Sequence, residues 1–159
     1  MDRLWTPWRY RYISKEKPHG EGCIFCEKAA ATDDAANFIV HRAQRNFVLL
    51  NIYPYNNGHL MIAPYEHVAT LGQLNPETAR ELMDLTRHAE QVLRRIYQPG
   101  GINIGMNIGG CAGAGVADHI HMHVLPRWIG DAGFITTVGE TRVIPEDLQS
   151  SWRRIRDAW

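Results

Sequence analysis

Three histidines stand at alternate positions in His119-Ile120-His121-Met122-His123-Val124-Leu125. In a β-strand alternate side chains share a face. The three imidazoles are therefore predicted to line one side, neighbours ~7 Å apart, while Ile120, Met122 and Val124 enter the core. Imidazole is a poor strand former with no packing reason to recur, so the repeat points to chemistry. Two kinds are open. Neutral imidazoles on one face can hold a catalytic zinc or iron. Alternatively, one ring is a nucleophile while its neighbours orient it and bind an anion. Just ahead lies Asn107-Ile108-Gly109-Gly110-Cys111-Ala112-Gly113-Ala114-Gly115, rich in backbone N–H groups that no side chain covers. That is the material of an anion nest. It is neither a Walker A sequence nor a dinucleotide G-x-G-x-x-G loop, yet its place before three histidines suggests a phosphate meeting an imidazole.

A second chemical signal is Cys23-x-x-Cys26. Such a pair can be a redox couple, a metal knuckle or two buried thiols. The redox reading is disfavoured because the motif does not follow a strand in a βαβ pattern. Thiolates combined with imidazoles suit tetrahedral zinc. Cys111 reads as a small packing residue. With three cysteines in all, no disulfide framework is possible, which fits a reducing compartment.

These residues need a scaffold, and 159 residues with a 45% apolar fraction supply one domain's worth of core. Short apolar runs bounded by turn residues predict strands at 38–41, 47–52 and 59–63, after a short helix or loop at 29–36. Asn75, Pro76 and Glu77 predict a helix start, with Leu82, Leu85, Ala89, Val92 and Ile96 as its apolar stripe. It stops before Pro99-Gly100-Gly101. Strands follow at 101–107 and 119–125, the latter ended by Pro126. A last helix over 145–159 carries Leu148, Trp152, Ile155 and Trp159 on one stripe. Strands, one long helix and more strands predict an α+β domain with a mainly antiparallel sheet.

Charge and termini narrow the function classes. Seventeen basic residues balance seventeen acidic ones, against a general nucleic-acid binder or a polybasic membrane protein. No apolar run approaches the ~20 residues of a membrane helix. The N-terminal segment shows no secretory signal, so a cytoplasmic location is expected. Residues 1–22 read as an extended arm. Its Trp5, Trp8, Tyr10 and Tyr12 with Arg3, Arg9 and Arg11 could stack on nucleic acid, but neutrality favours packing across a subunit interface. His19, His41 and His88 carry no predicted role.

The triad segment resembles the His-φ-His-φ-His-φ-φ signature of the histidine triad (HIT) superfamily. Asn107-x-Gly109-x-x-Ala112-Gly113 is similar to the segment preceding it there. Asn51 and Asn57-Gly58-His59-Leu60-Met61-Ile62-Ala63-Pro64 are similar to the family's other pocket strand. Leu4-Trp5-Thr6-Pro7-Trp8-Arg9 and Pro126-Arg127-Trp128 resemble the bacterial branch that contains diadenosine-tetraphosphate phosphorylases. The resemblance spans about residues 4–145. It implies a HIT-like fold over 1–159, a half-barrel sheet with one long helix and a C-terminal helix, forming a homodimer. It also implies nucleotide binding and attack of His121 on an α-phosphate, giving a nucleotidyl-histidine. His123 and His59 would bind phosphate oxygens or assist the leaving group, with His119 completing the catalytic triad. Asn107 with the N–H groups near Gly113 would offset developing charge, Asn51 and the apolar strand 47–52 would hold ribose and base, and Ala114, Gly115 and Trp128 would also bind substrate. Relatives further imply a structural zinc on Cys23, Cys26, His67 and His119. One departure stands out: phosphorylases of this branch tend to carry Gly-Ser where this chain has Ala114-Gly115. Phosphorolysis of dinucleoside polyphosphates is the leading expectation. Rivals are hydrolysis of such compounds or of nucleoside phosphoramidates, a metallo-hydrolase, and a non-catalytic nucleotide-binding adaptor.

Overall fold

The computed structural model describes residues 22–133, 136 and 143–159. Of the expected N-terminal arm only Gly22 falls among them; Leu4 to Arg9, the arm's aromatic residues and His19 lie outside. Helix α1 (Ile24–Ala30) is followed by strands β1 (Ile39–Arg42), β2 (Asn46–Leu50) and β3 (Leu60–Pro64). Helix α2 (Pro76–Tyr97), strands β4 (Gly101–Gly105) and β5 (Met122–Arg127), and helix α3 (Leu148–Ala158) complete the order. The five strands form one antiparallel sheet in the order β1-β2-β3-β5-β4. This is the expected α+β arrangement.

Period-two alternation sorts the side chains onto two faces. Val48, Leu50, Leu60, Ile62, Ile120, Met122 and Val124 join Leu82, Ala89, Val92 and Leu93 of α2 in the main core. Phe47, Leu49 and Ala63 point the other way and pack with Phe25 of α1 in a second cluster. Because strands β2, β3 and β5 are covered on both sides, their sequences are nearly continuous apolar runs. Helix α2 starts as its sequence predicts. The Asn75 side chain accepts the Glu77 N–H at 2.9 Å and Pro76 occupies the first turn. It ends at Tyr97 with Gln98 in the left-handed region (φ 44°), a position glycine more commonly fills. Helix α3 begins after Asp147, two residues beyond Pro145, and the Trp152 Nε1–H anchors it to the Ile39 carbonyl at 2.8 Å.

Three expectations change. Helix α1 begins immediately after Cys23, so the cysteine pair sits on a helical turn and not ahead of one. Strand β5 starts at Met122: β3 ends at Pro64, and residues 119–121 lie beside the segment that follows it, where the Ile120 N–H bonds the Val68 carbonyl at 2.7 Å. Pro126 lies inside β5, not after it. Strand β3 pairs only as far as Val124, so at Pro126 the strand has a single neighbour and the missing N–H is tolerated.

Candidate active site

A cleft of about 360 Å³ opens on the face opposite α2. One wall is α1, through Ile24, Phe25 and Lys28; the facing wall is the end of β2 and the turn after it, from Leu49 to Tyr53. His121 and His123 line it together with Asn107, Gly113, Gly115 and Val116. The sequence-predicted residues Asn51, Asn107, Gly113, Gly115, His121 and His123 thus share one cavity.

Each imidazole has its tautomer set by a neighbour whose role is fixed. His121 Nδ1 lies 2.9 Å from the carbonyl oxygen of His119, which can only accept, so the proton is on Nδ1 and Nε2 keeps a lone pair. The backbone N–H of Tyr55 donates to His59 Nδ1 at 3.1 Å, so His59 carries its proton on Nε2. That proton goes to His123 Nδ1 at 2.9 Å, which leaves His123 with an N–H on Nε2. The His121 and His123 rings lie 4.8 Å apart, edge to face. A lone pair and an N–H donor therefore stand side by side. Burial lowers the pKa of His121 against the opposing pull of the His119 carbonyl. Burial, helped by neighbouring histidines, brings His123 to about 4 and His59 to about 3. All three rings are neutral at pH 7.

His119 departs from the predicted row. Its ring is fully buried and turned towards the cysteines, with Nδ1 3.2 Å from Cys23 Sγ and 3.7 Å from Cys26 Sγ. Nδ1 of His67 lies 3.3 Å from Cys26 Sγ, and the four ligand atoms fall within 4.8 Å of one another. Donors around a tetrahedral zinc lie roughly 3.3–3.8 Å apart, given Zn–N and Zn–S bonds of about 2.0–2.3 Å. His119 Nε2–H is committed to the Pro64 carbonyl at 2.9 Å, so Nδ1 presents a lone pair to the sulfurs. A carbonyl holding the far nitrogen of a ligating histidine is the usual second contact of such sites. The donor set suits zinc. The three triad imidazoles, by contrast, do not converge on one point as a catalytic metal would need.

Other placements differ from expectation. His59 is 0% exposed and does not line the cleft; its contact with the cleft is the hydrogen bond to His123. Loop 107–115 is less open than a bare nest. Residues 110–112 form a 3-10 turn in which the Ala112, Gly113 and Ala114 N–H groups bond carbonyls of Gly109 and Gly110. Gly109 (φ 84°) and Gly113 (φ 88°) take conformations that side chains disfavour, and Asn107 Nδ2 reaches the Gly113 carbonyl at 3.5 Å. Ala114 does not line the cleft, and Trp128 lines a second one with Tyr97 and Arg154. Cys111 is exposed, not packed, because the turn points it outward. The α1 wall was missed: the Ile24-Phe25 pair, flanked by cysteines, with Lys28 one turn on, was its available signal. Phe25 packs on both His119 and His121, at ring distances of 5.1 and 4.7 Å.

Comparison with known proteins settles the family. The HIT domain model matches residues 32–128. This chain belongs to the HIT family. Over 166 aligned positions it is 39% identical to an AP-4-A phosphorylase of Mycobacterium tuberculosis, covering 100% of this chain and 85% of that protein. A zinc-bound histidine triad family protein from Mycobacterium smegmatis superposes with a TM-score of 0.70 at 28% identity, covering 86% of this chain and 92% of that one. A bis(5'-nucleosyl)-tetraphosphatase of Schizosaccharomyces pombe is 29% identical over 89 residues, 56% of this chain and 48% of that protein. The chain is a HIT-family enzyme. No helix among its described residues is long and apolar enough to cross a membrane.

Proposed function

We propose that this HIT enzyme cleaves dinucleoside polyphosphates at the α-phosphate through a nucleotide carried on His121, with inorganic phosphate as the favoured acceptor. The observation that carries the reading is the His121 Nδ1–H held on the His119 carbonyl at 2.9 Å, which aims an unprotonated Nε2 into the cleft. In the first step Nε2 forms a bond to the α-phosphorus, and the bond from phosphorus to the bridging oxygen breaks. The departing nucleoside polyphosphate keeps that electron pair, and the His123 Nε2–H donates a hydrogen bond to its oxygen. In the second step an oxygen of phosphate attacks the same phosphorus, the N–P bond breaks, and neutral imidazole returns. Asn107 and the cleft-lining main chain at Gly115 meet the charge that grows on the phosphoryl oxygens. Asn51, whose Oδ1 accepts the Tyr53 N–H and whose Nδ2 reaches towards His59 Nδ1, sits where the ribose would lie.

Cys23, Cys26, His67 and His119 would hold a structural zinc, which supplies a cross-link and no step of the reaction. The same reading takes the enzyme as a cytoplasmic homodimer joined along the sheet edge at β4, where Ile104 is 48% exposed. It includes neither a nucleic-acid nor a membrane partner. Plain hydrolysis is the second reading, favoured by Ala114-Gly115 in place of a hydroxyl-bearing pair.

The test is to mix enzyme with diadenosine tetraphosphate, quench in alkali, where phosphoramidates persist, and map the adduct by mass spectrometry. Adenylate on the His121 peptide is expected; an adduct on another residue, or none during active turnover, overturns the mechanism.

A further inference from the structure

Lys28 is the one formally charged side chain among the described residues lining the nucleotide cleft. The same cleft is lined by the apolar Ile24, Phe25, Leu49, Ile52 and Val116, and by the neutral His121 and His123. Helix geometry places Lys28 relative to the reacting centre. Phe25 packs on the His121 ring, and Lys28 comes three residues later, roughly 4.5 Å further along the axis at ~1.5 Å per residue. Ile24 and Lys28, four apart, share one helical face. Half-buried, Lys28 has its ammonium fixed by a hydrogen bond from Nζ to the Asn37 carbonyl at 3.1 Å. An ammonium has three N–H donors and no acceptor, so two donors remain.

We propose that Lys28 reads the base of the bound nucleotide and favours 6-oxopurines, guanine and hypoxanthine, over adenine. This inference rests on the proposed function, which lays the α-phosphate on His121 and the ribose at Asn51; the base then falls to the apolar part of the same cleft, which Lys28 also lines. A donor-only group pairs best with an edge showing adjacent acceptors. Guanine and hypoxanthine present O6 and N7 together, whereas adenine places an amino donor beside N7. The ammonium can satisfy both acceptors of the first edge. Against the second it has one acceptor and an opposing N–H.

The experiment measures equilibrium binding of GMP, IMP and AMP to the full-length metal-loaded protein. GMP and IMP are expected to bind about tenfold or more tighter than AMP, the range for one good side-chain contact to a base edge. IMP lacks the 2-amino group, so its agreement with GMP assigns the preference to the 6-oxo edge using the unaltered chain alone. Lys28→Met keeps the stem and removes the donors; it is expected to bring the three affinities within about threefold, and Lys28→Arg to restore the preference. Tighter binding of AMP, equal binding of all three, or equal loss of all three in Lys28→Met overturns the inference. If adenylate forms on His121 without a 6-oxo preference, the inference fails and the proposed function stands. If no mononucleotide binds and no adduct forms, both fail.

Discussion

The carbonyl oxygen of His119 accepts the Nδ1 proton of His121 at 2.9 Å, while the ring of the same His119 faces Cys23 Sγ at 3.2 Å. One residue thus belongs to both clusters, by its main chain to the cleft and by its side chain to the thiols. Phe25, between the two cysteines, adds a second link by packing on the His121 ring. The thiol–imidazole cluster and the His121 ring are therefore joined through the main chain of one residue and the ring of another.

That link sets the expected outcome for Cys23→Ala. Removing one of four ligands should abolish copurification of one zinc per chain, and because metal binding is coupled to folding the melting temperature should fall by roughly 10 °C or more. At temperatures where the variant remains folded, kcat should drop less than about tenfold, since the reacting groups are intact. Metal analysis, thermal melting and single-turnover rates check the three parts. Zinc retained at wild-type stoichiometry, or found on His121 and His123, would sink the assignment.

His121→Ala should behave in the opposite way. Its ring donates one hydrogen bond and lines the cleft, but the loop, the α1 wall and Asn51 remain to hold a nucleotide. The expectation is loss of kcat on the order of 10³-fold or more, with nucleotide affinity kept within about threefold. Pre-steady-state turnover and equilibrium binding of the same preparation separate the two effects. Turnover near the wild-type rate would remove His121 from the mechanism.

The buried His59 and its half-buried partner His123 predict an acid-side loss of stability. Their folded pKa values, about 3 and about 4, lie below the unfolded value of 6.5. Between these limits the unfolded chain binds protons that the folded chain refuses, so unfolding free energy falls as pH drops from about 6.5 towards 4. Each group contributes a slope on the order of 1 kcal/mol per pH unit. His123→Gln should flatten that slope while leaving stability above pH 7 less affected. Denaturant midpoints from pH 4.5 to 8 read it directly, and an unchanged slope in the variant would show that the pair is not protected from protonation.

Much of this architecture was legible because its signals are local. The Asn75-Pro76-Glu77 start of α2 depends on hydrogen bonds within one turn, and it formed as read. The alternation of Ile120, Met122 and Val124 with the histidines also placed the aliphatics in the main core. What alternation could not convey is where the neighbouring strand stops. Strand β3 ends at Pro64, so His119 lies outside the ladder and its ring meets thiols from a helix 93 to 96 residues away in sequence. The glycine loop misled for a related reason. Composition reveals uncovered N–H groups but not that three of them turn inward to Gly109 and Gly110. The α1 wall stayed hidden because a seven-residue helix is too short to show periodicity.

On the proposed mechanism, the acceptor that resolves the intermediate should be decided near Gly115. A serine there could hold inorganic phosphate through its hydroxyl, and one such bond to a charged partner is worth about 1.5–3 kcal/mol, or roughly ten- to a hundredfold in affinity. This chain keeps the main chain of that position at the cleft but lacks the hydroxyl. Gly115 is not among the glycines with positive φ, so its backbone is not in the region that favours glycine. Gly115→Ser should therefore lower the KM for phosphate about tenfold, with little change in the KM for the dinucleotide. Product analysis on diadenosine tetraphosphate gives the reading: phosphorolysis yields ATP and ADP, whereas hydrolysis yields ATP and AMP. The wild-type enzyme is expected to form mainly ADP at saturating phosphate, and the serine variant to do so at lower phosphate. If AMP predominates in both even at saturation, phosphate is not the acceptor, and the enzyme is a hydrolase working through the same His121.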